Sequence, residues 1–382
     1  MSELTSPVAA TMLASLDGMG PRRLAALLQT SDPVAVIDHI KNGRVQTRIA
    51  PVDMSQLWAK SLIAMAPESF AAALATSAIT VTTSHDDDHP ELLRNDIDPC
   101  PVLFRRGAPV PQGGPAVAII GTRRCSGVGR ELAYELGAEL AAAHVTVVSG
   151  LALGIDGAAH QGALEAGGAA PLAVVGSGAD VVYPKRHQAL WAKMIDEGTL
   201  LTEVPPGGAP LAWRFPARNR MLAALADVIV VVESRGAGGS LLTVDQAIRR
   251  GREVMAVPGS LRNPAAEGAN NLLADGCAPV RNVDDILAVL GLGTIDASTR
   301  REQPAAGPEG EAGQVFGALD DGPTSPDQVA VRTGLPAAAV FAQLELLISA
   351  GWVATDGTKF LPARRSASAA IAKGGGSCTP GE

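Results

Sequence analysis

AIIGTRRCSGVG, Ala118–Gly129, sets an apolar run against a glycine turn that carries two arginines and leads into helical text. A strand feeding a helix through such a turn exposes backbone N–H groups at the helix start, and these favour an anion. Which anion follows from what the turn lacks. A dinucleotide requires G-x-G-x-x-G here and an acid at the end of the second strand for the ribose hydroxyls. The chain instead reads Gly121, Thr122, Arg123, Arg124, Cys125, Ser126, Gly127, and its second strand ends in Ser149-Gly150. Bulky arginines stand where a pyrophosphate needs close backbone approach. A Walker loop requires Gly-Lys-Ser/Thr, which the sequence does not contain. What remains is the Arg123 and Arg124 guanidinium groups and the Ser126 hydroxyl beside a helix N-terminus, a set that suits phosphate oxygens without requiring a nucleoside.

Around this turn, from about 116 to 290, short β-branched runs alternate with Ala/Leu segments. AVAIIG, VTVVSG, PLAVVG, TLLTE, DVIVVVE and EVMAVPG are strand candidates; GRELAYELGAELAAAH, IDGAAHQGALEAG, HQALWAKMIDEG and LLTVDQAIRRG read as helices. That alternation predicts an α/β fold, a Rossmann-like, doubly wound and mostly parallel sheet whose crevice lies beyond the strand carboxyl ends. Other segments near those ends are also basic. Lys185 and Arg186 precede one helix; Arg214, Arg218 and Arg220 lie in WRFPARNRM with Trp213 and Phe215 among them; Arg235 precedes the turn Gly236–Ser240. Converging at one edge, they make separated phosphate sites along a groove with flat side chains nearby, which suits single-stranded nucleic acid. The net charge of −8 excludes indiscriminate nucleic-acid binding, so the affinity has to come from this local patch.

The flanks differ in texture. Residues 1–78 read as a small helical domain broken at Gly18–Pro21, where LDGMGPRRLAALL reads either as a helix-hairpin-helix offering N–H groups to a phosphate or as a plain helix pair. Residues 291–312 read as a linker, 313–363 as helix, helix, TGL turn, longer helix and hairpin, and 364–382 as a disordered tail. The third unit is winged-helix-like, but its recognition helix, PAAAVFAQLELLISAG, has no Arg or Lys, which favours a partner-binding role over base reading. Cys100, Cys125, Cys277 and Cys378 form no CxxC pair, so buried or idle thiols are expected rather than zinc or disulfides. No apolar run approaches a membrane span and the start MSELTSPVAA is unlike a signal peptide, so a cytoplasmic protein is expected.

The series AIIGTRRCS, VVSGLALGIDGAAHQGALEAGG, AVVGSGADVVYPKRH, LLTEVPPG, FPARNRMLAALAD, VVVESRGAGGSLLT and GREVMAVPG resembles the DNA-processing protein A family (DprA, also called Smf) from residue 79 to about 290. The resemblance implies a core that binds single-stranded DNA, protects incoming strands, forms a homodimer and promotes RecA loading in natural transformation or recombination, with neither catalysis nor cofactor. It carries the family's DNA-contacting turn onto Gly121, Thr122 and Arg123, its basic residue after Tyr-Pro onto Lys185, its Arg-Asn-Arg onto Arg218, Asn219 and Arg220, and its later glycine turn onto Gly238, Gly239 and Ser240. Arg124, Ser126 and Arg186 join this set from the reading of the turns. Val128 and Ala224 depart from the family, which often has an aromatic at the first position and glycine at the second.

Competing chemistries find less support in the residues. SHDDDHP crowds His85, Asp86, Asp87, Asp88 and His89, but consecutive loop side chains seldom converge on one ion. Asp156 and His160 share a helical face and read as structural, with Asp156 favouring the helix dipole. A phosphoribohydrolase of the lysine-decarboxylase-like type would need Glu where GAGGSLLT has Thr243. A DNA-binding regulator rests on the winged-helix-like end alone.

Overall fold

Short β-branched runs joined by Ala/Leu helices bury both faces only when the strands lie parallel between two helical layers. A computed structural model shows that arrangement; it describes residues 4–29, 31–293, 308, 310–319, 324–350, 352–355 and 359–362. The chain divides into two compact units, Met1–Thr294 and Ile295–Glu382.

The first unit opens with helices α1 (Ser6–Ala14), α2 (Pro21–Leu28), α3 (Pro33–Lys41), α4 (Val52–Ala64) and α5 (Pro67–Thr76). The sheet region then runs β1 (Thr80–Thr83), α6 (Glu91–Arg94), β2 (Val102–Gly107), β3 (Ala116–Ile120), α7 (Gly127–Ala142), β4 (Thr146–Ser149), α8 (Ile155–Ala166), β5 (Leu172–Val174), α9 (Gln188–Glu197) and β6 (Thr199–Thr202). It finishes with α10 (Arg214–Leu225), β7 (Val228–Val231), α11 (Leu241–Ile248), β8 (Glu253–Ala256), α12 (Glu267–Ala274), β9 (Ala278–Pro279) and α13 (Val283–Val289). All of the strands expected from sequence are present. Nine strands form one sheet in the order β1-β2-β6-β5-β4-β3-β7-β8-β9. β6 through β9 in that order are parallel, and β2 and β1 extend the β6 edge antiparallel.

After β3 the chain steps one way through β4, β5 and β6, then returns to the far side of β3 for β7. The reversal therefore lies between β3 and β7, where a doubly wound sheet opens its crevice. One face of the sheet buries Ala118, Ile120, Val148 and Ile229 against Met221 and Leu222 of α10 and Val244 of α11. α7 and α8 approach closely because Gly137 and Gly162 lie at their contact: a Cβ on Gly137 would overlap the Ala159 carbonyl, and one on Gly162 the Tyr134 carbonyl.

The N-terminal helices share a core with the antiparallel edge, Leu13, Ile37, Ile40, Trp58 and Leu62 packing with Val81, Val102 and Phe104. At the Gly18–Pro21 break, Gly18 is left-handed (φ 69°) and Gly20 caps α2. The arginines beyond it bind the protein itself: Arg23 donates to the Gly18 carbonyl at 2.7 Å, and Arg22 pairs with Asp98 at 3.0 Å.

In the second unit α14 (Gly310–Gly317), α15 (Pro326–Thr333), α16 (Ala337–Ser349), β10 (Val353–Thr355) and β11 (Phe360–Pro362) build a winged helix. Ser325 and Gln328 form a reciprocal capping box at the start of α15, and Gly334 ends it in the left-handed conformation. Val315, Val329, Val340, Leu344 and Phe360 make the core. Of the expected linker, residues 294–307 and 309 lie outside the described residues, as does the expected tail 364–382 with Cys378. Among the described residues no single helix is long and apolar enough to cross a membrane.

Candidate nucleic-acid interface

The Gly121 turn leaves β3 directly against the end of β7. Thr122 donates its N–H to the Glu233 carbonyl at 2.7 Å, and a Cβ on Gly121 would lie 2.7 Å from that same oxygen. The turn is thus pinned, and it lifts Arg123 and Arg124 into solvent. Beside them opens a groove of about 800 Å³ over the β3/β7 reversal. Gly121, Thr122, Arg123 and Arg124 form one side, and Arg235, Gly238, Gly239 and Ser240, from the turn after β7, form the other. Tyr183, Phe215, Asn219 and Thr243 also line it, with Asp156 and Arg218.

Flat side chains lie beneath the cations. The Arg123 guanidinium stands 5.1 Å from the Phe215 ring centre, and that ring is 5.2 Å from the Tyr183 ring. Guanidinium over phenyl is itself attractive, and both surfaces can accept a stacked base. Arg123, Arg124 and Arg235 form no ion pair among the described residues, so their charge is available to a ligand. Ser240 donates its hydroxyl to Ser234 at 2.8 Å, and a Cβ on Gly238 would overlap that Ser234 hydroxyl, so the glycine turn lies tight on the sheet end.

Other residues expected at the site are engaged elsewhere. Arg218 lies on the groove floor but is buried: it donates to the Val174 carbonyl and faces Asp156 across Gly150. Burial pulls its pKa down to about 10, against the opposing pull of Asp156, so it remains a cation. Asp156 is pushed up by burial, while Arg218 and the backbone N–H groups of Ala152 and Gly150 favour its ionised form. Arg220, two residues on, faces away from the groove. It binds Glu203 through one nitrogen at 2.5 and 2.6 Å, and donates to the Asp98 carbonyl at 2.6 Å and the Cys100 sulfur at 2.9 Å. Arg220 therefore belongs to an internal ion pair rather than to the row of groove cations, because its side of α10 packs on the 95–100 loop.

Ser126 also serves the protein. Its hydroxyl donates to Glu233 Oε1 at 2.6 Å and its N–H to Oε2 at 2.8 Å, while its Oγ accepts the Gly129 N–H at 2.9 Å. The start of α7, read from sequence as open to phosphate, holds an internal carboxylate. Lys185 and Arg186 are exposed on the short 3₁₀ turn Lys185–His187 and do not line the groove, although Tyr183 just before them does. Asn219 reaches to 3.5 Å from the Gly239 carbonyl, linking α10 to the glycine turn.

Glu233 and Asn263, which donates to Glu233 at 2.9 Å, were not singled out by sequence reasoning. The dinucleotide pattern puts its acid at the end of the second strand, whereas Glu233 follows the fifth strand of the parallel series; only its place beside the β3 turn gives it meaning. The SHDDDHP side chains disperse: His85 contacts the Leu28 carbonyl, Asp86 accepts from Thr83, and His89 contacts Thr82. His160 is buried, its pKa pulled down to about 3 by burial. Thr243 lines the groove where a hydrolase of this architecture would need its carboxylate.

Comparison with known proteins agrees with this geometry. Residues 80–291 match the family model described as DNA recombination-mediator protein A, and 299–354 match the DprA winged helix domain. A putative DNA processing protein DprA from Mycobacterium tuberculosis is 35% identical over 368 residues, 92% of this chain and 93% of its own length. DNA processing protein DprA from Streptococcus pneumoniae is 38% identical over 203 residues, 53% of this chain and 71% of its own. The X-ray structure of the Streptococcus pneumoniae protein superposes with a TM-score of 0.62 at 29% identity, covering 75% of this chain and 98% of that one. Matched through both its sheet domain and its winged helix, the chain belongs to the DNA recombination-mediator protein A family, the DprA/Smf proteins.

Proposed function

We propose that the groove over the β3/β7 reversal grips single-stranded DNA, with Arg123, Arg124 and Arg235 on its phosphates and the Phe215 and Tyr183 rings beside its bases. One observation carries this reading: two turns distant in sequence place three unpaired guanidinium groups around one groove of a chain whose net charge is −8. A track of separated cations with aromatic faces suits an unpaired strand, whose bases are free to stack, better than a duplex, whose bases are hidden. The protein acts by binding rather than by catalysis. Asp156, the one carboxylate lining the groove among the described residues, faces the Arg218 cation, and Thr243 supplies no acid. A homodimer lengthens the track, Lys185 and Arg186 extend it outside the groove, and a surface of the protein hands the strand to RecA.

The test is a titration of a labelled oligothymidylate at several salt concentrations. Arg123→Ala, Arg124→Ala and Arg235→Ala are each expected to weaken binding and to flatten the log–log salt slope by about 0.7, the share of one phosphate contact on a single strand. Wild-type slopes in all three place the strand elsewhere. In parallel, nucleoside monophosphates are expected to release no base; release would favour the hydrolase reading.

A further inference from the structure

In a sheet of this design the helix start beside the first strand is the customary seat of a ligand phosphate, because backbone N–H groups and the helix dipole converge there. Here Glu233 fills that seat. Its carboxylate is buried and takes the Ser126 N–H at 2.8 Å, the Ser126 hydroxyl at 2.6 Å and the Asn263 amide at 2.9 Å. Gly129, in the first turn of α7, leaves just the room it needs, since a Cβ there would overlap the carboxyl group. The Glu233 backbone carbonyl holds Thr122 at the other end of the same turn. A single residue thus clamps both ends of the segment that presents Arg123 and Arg124, while neither Glu233 nor Ser126 is among the residues that line the groove.

We infer that Glu233 is a positioning and specificity residue, a built-in anion that closes the α7 cradle to phosphate groups and fixes the Gly121–Ser126 turn so that the strand is met by guanidinium groups. This rests on the reading of the groove as the DNA site, but its first measurement does not use DNA. Glu233→Ala empties a cradle that a small carboxylate fits. At constant ionic strength, acetate is expected to raise the melting temperature of this variant by several degrees more than that of the wild type, which controls for general salt effects. The variant is expected to bind the oligothymidylate about tenfold more weakly, and acetate, but not chloride, to restore most of that loss. Undiminished DNA affinity in the variant, or the absence of an acetate-specific rescue of either quantity, overturns the inference. If Arg123→Ala and Arg235→Ala bind DNA normally while acetate still stabilises Glu233→Ala, the groove reading fails and the cradle stands. Should Glu233→Ala not fold, Glu233→Gln keeps the volume and loses one acceptor oxygen, and full DNA affinity in that variant equally overturns the proposal.

Discussion

Arginines near the strand ends do different work in this protein, and their partners set the difference. Arg123 lies over a phenyl ring in the groove lining, whereas Arg218 is buried facing Asp156 and Arg220 is locked to Glu203. Removing Arg220 leaves the Glu203 carboxylate without its ion-pair partner, and removing Arg218 leaves buried Asp156 without the cation that favours its ionised form. Arg218→Ala is therefore expected to cost about 3–5 kcal/mol of stability in urea unfolding, and Arg220→Ala a similar amount, while Arg123→Ala stays near the wild type. A stable, well-folded Arg218→Ala that merely binds DNA weakly would return that residue to the set of direct phosphate ligands. Sequence reasoning located both residues near the strand ends but did not distinguish them, because residue type and spacing do not say which side of α10 meets the 95–100 loop. Glu233 escaped for the opposite reason: an acid after an apolar strand is unremarkable until β3 and β7 are neighbours.

At the scale of elements, the chain was legible wherever a period repeats. Six β-branched runs ending near glycine or an acid became β3 to β8, and the helix, TGL turn, longer helix order of the third unit became α15 and α16. β1 and β2 lie outside that alternation and pair antiparallel, so their membership of the sheet comes from tertiary packing under the N-terminal helices. The α7/α8 contact depends on two absent methyl groups. Gly162→Ala is expected to destabilise the protein by about 1–3 kcal/mol through overpacking, read from the denaturant midpoint, since the Tyr134 carbonyl is backbone and has little freedom to yield. A change at an exposed glycine with open surroundings, such as Gly239, serves as the control.

For the whole molecule, proton linkage gives a global test of the packing. Burial holds His160 near 3 and His89 near 4, both below the ordinary 6.5, so the folded form keeps these rings neutral. Between pH 6.5 and about 4 the unfolded chain takes up protons that the folded one refuses; stability is present above that window and is lost as the pH falls through it. Urea midpoints measured from pH 7 to 4.5 are expected to decline, and His160→Met to flatten the decline; an unchanged slope would mean that the ring charges without opening the fold. The 95–100 loop has a different bearing on the whole. Arg22 from α2 and Arg249 just after α11 reach Asp98, Arg250 reaches Asp96, and Arg220 reaches the Asp98 carbonyl. These contacts tie α10, which lines the groove, to the N-terminal helices and the flank of the sheet. On the proposed reading of the groove, a strand pulled out of it is expected to part from its cations while α10 stays folded, which single-molecule pulling on a tethered oligothymidylate checks.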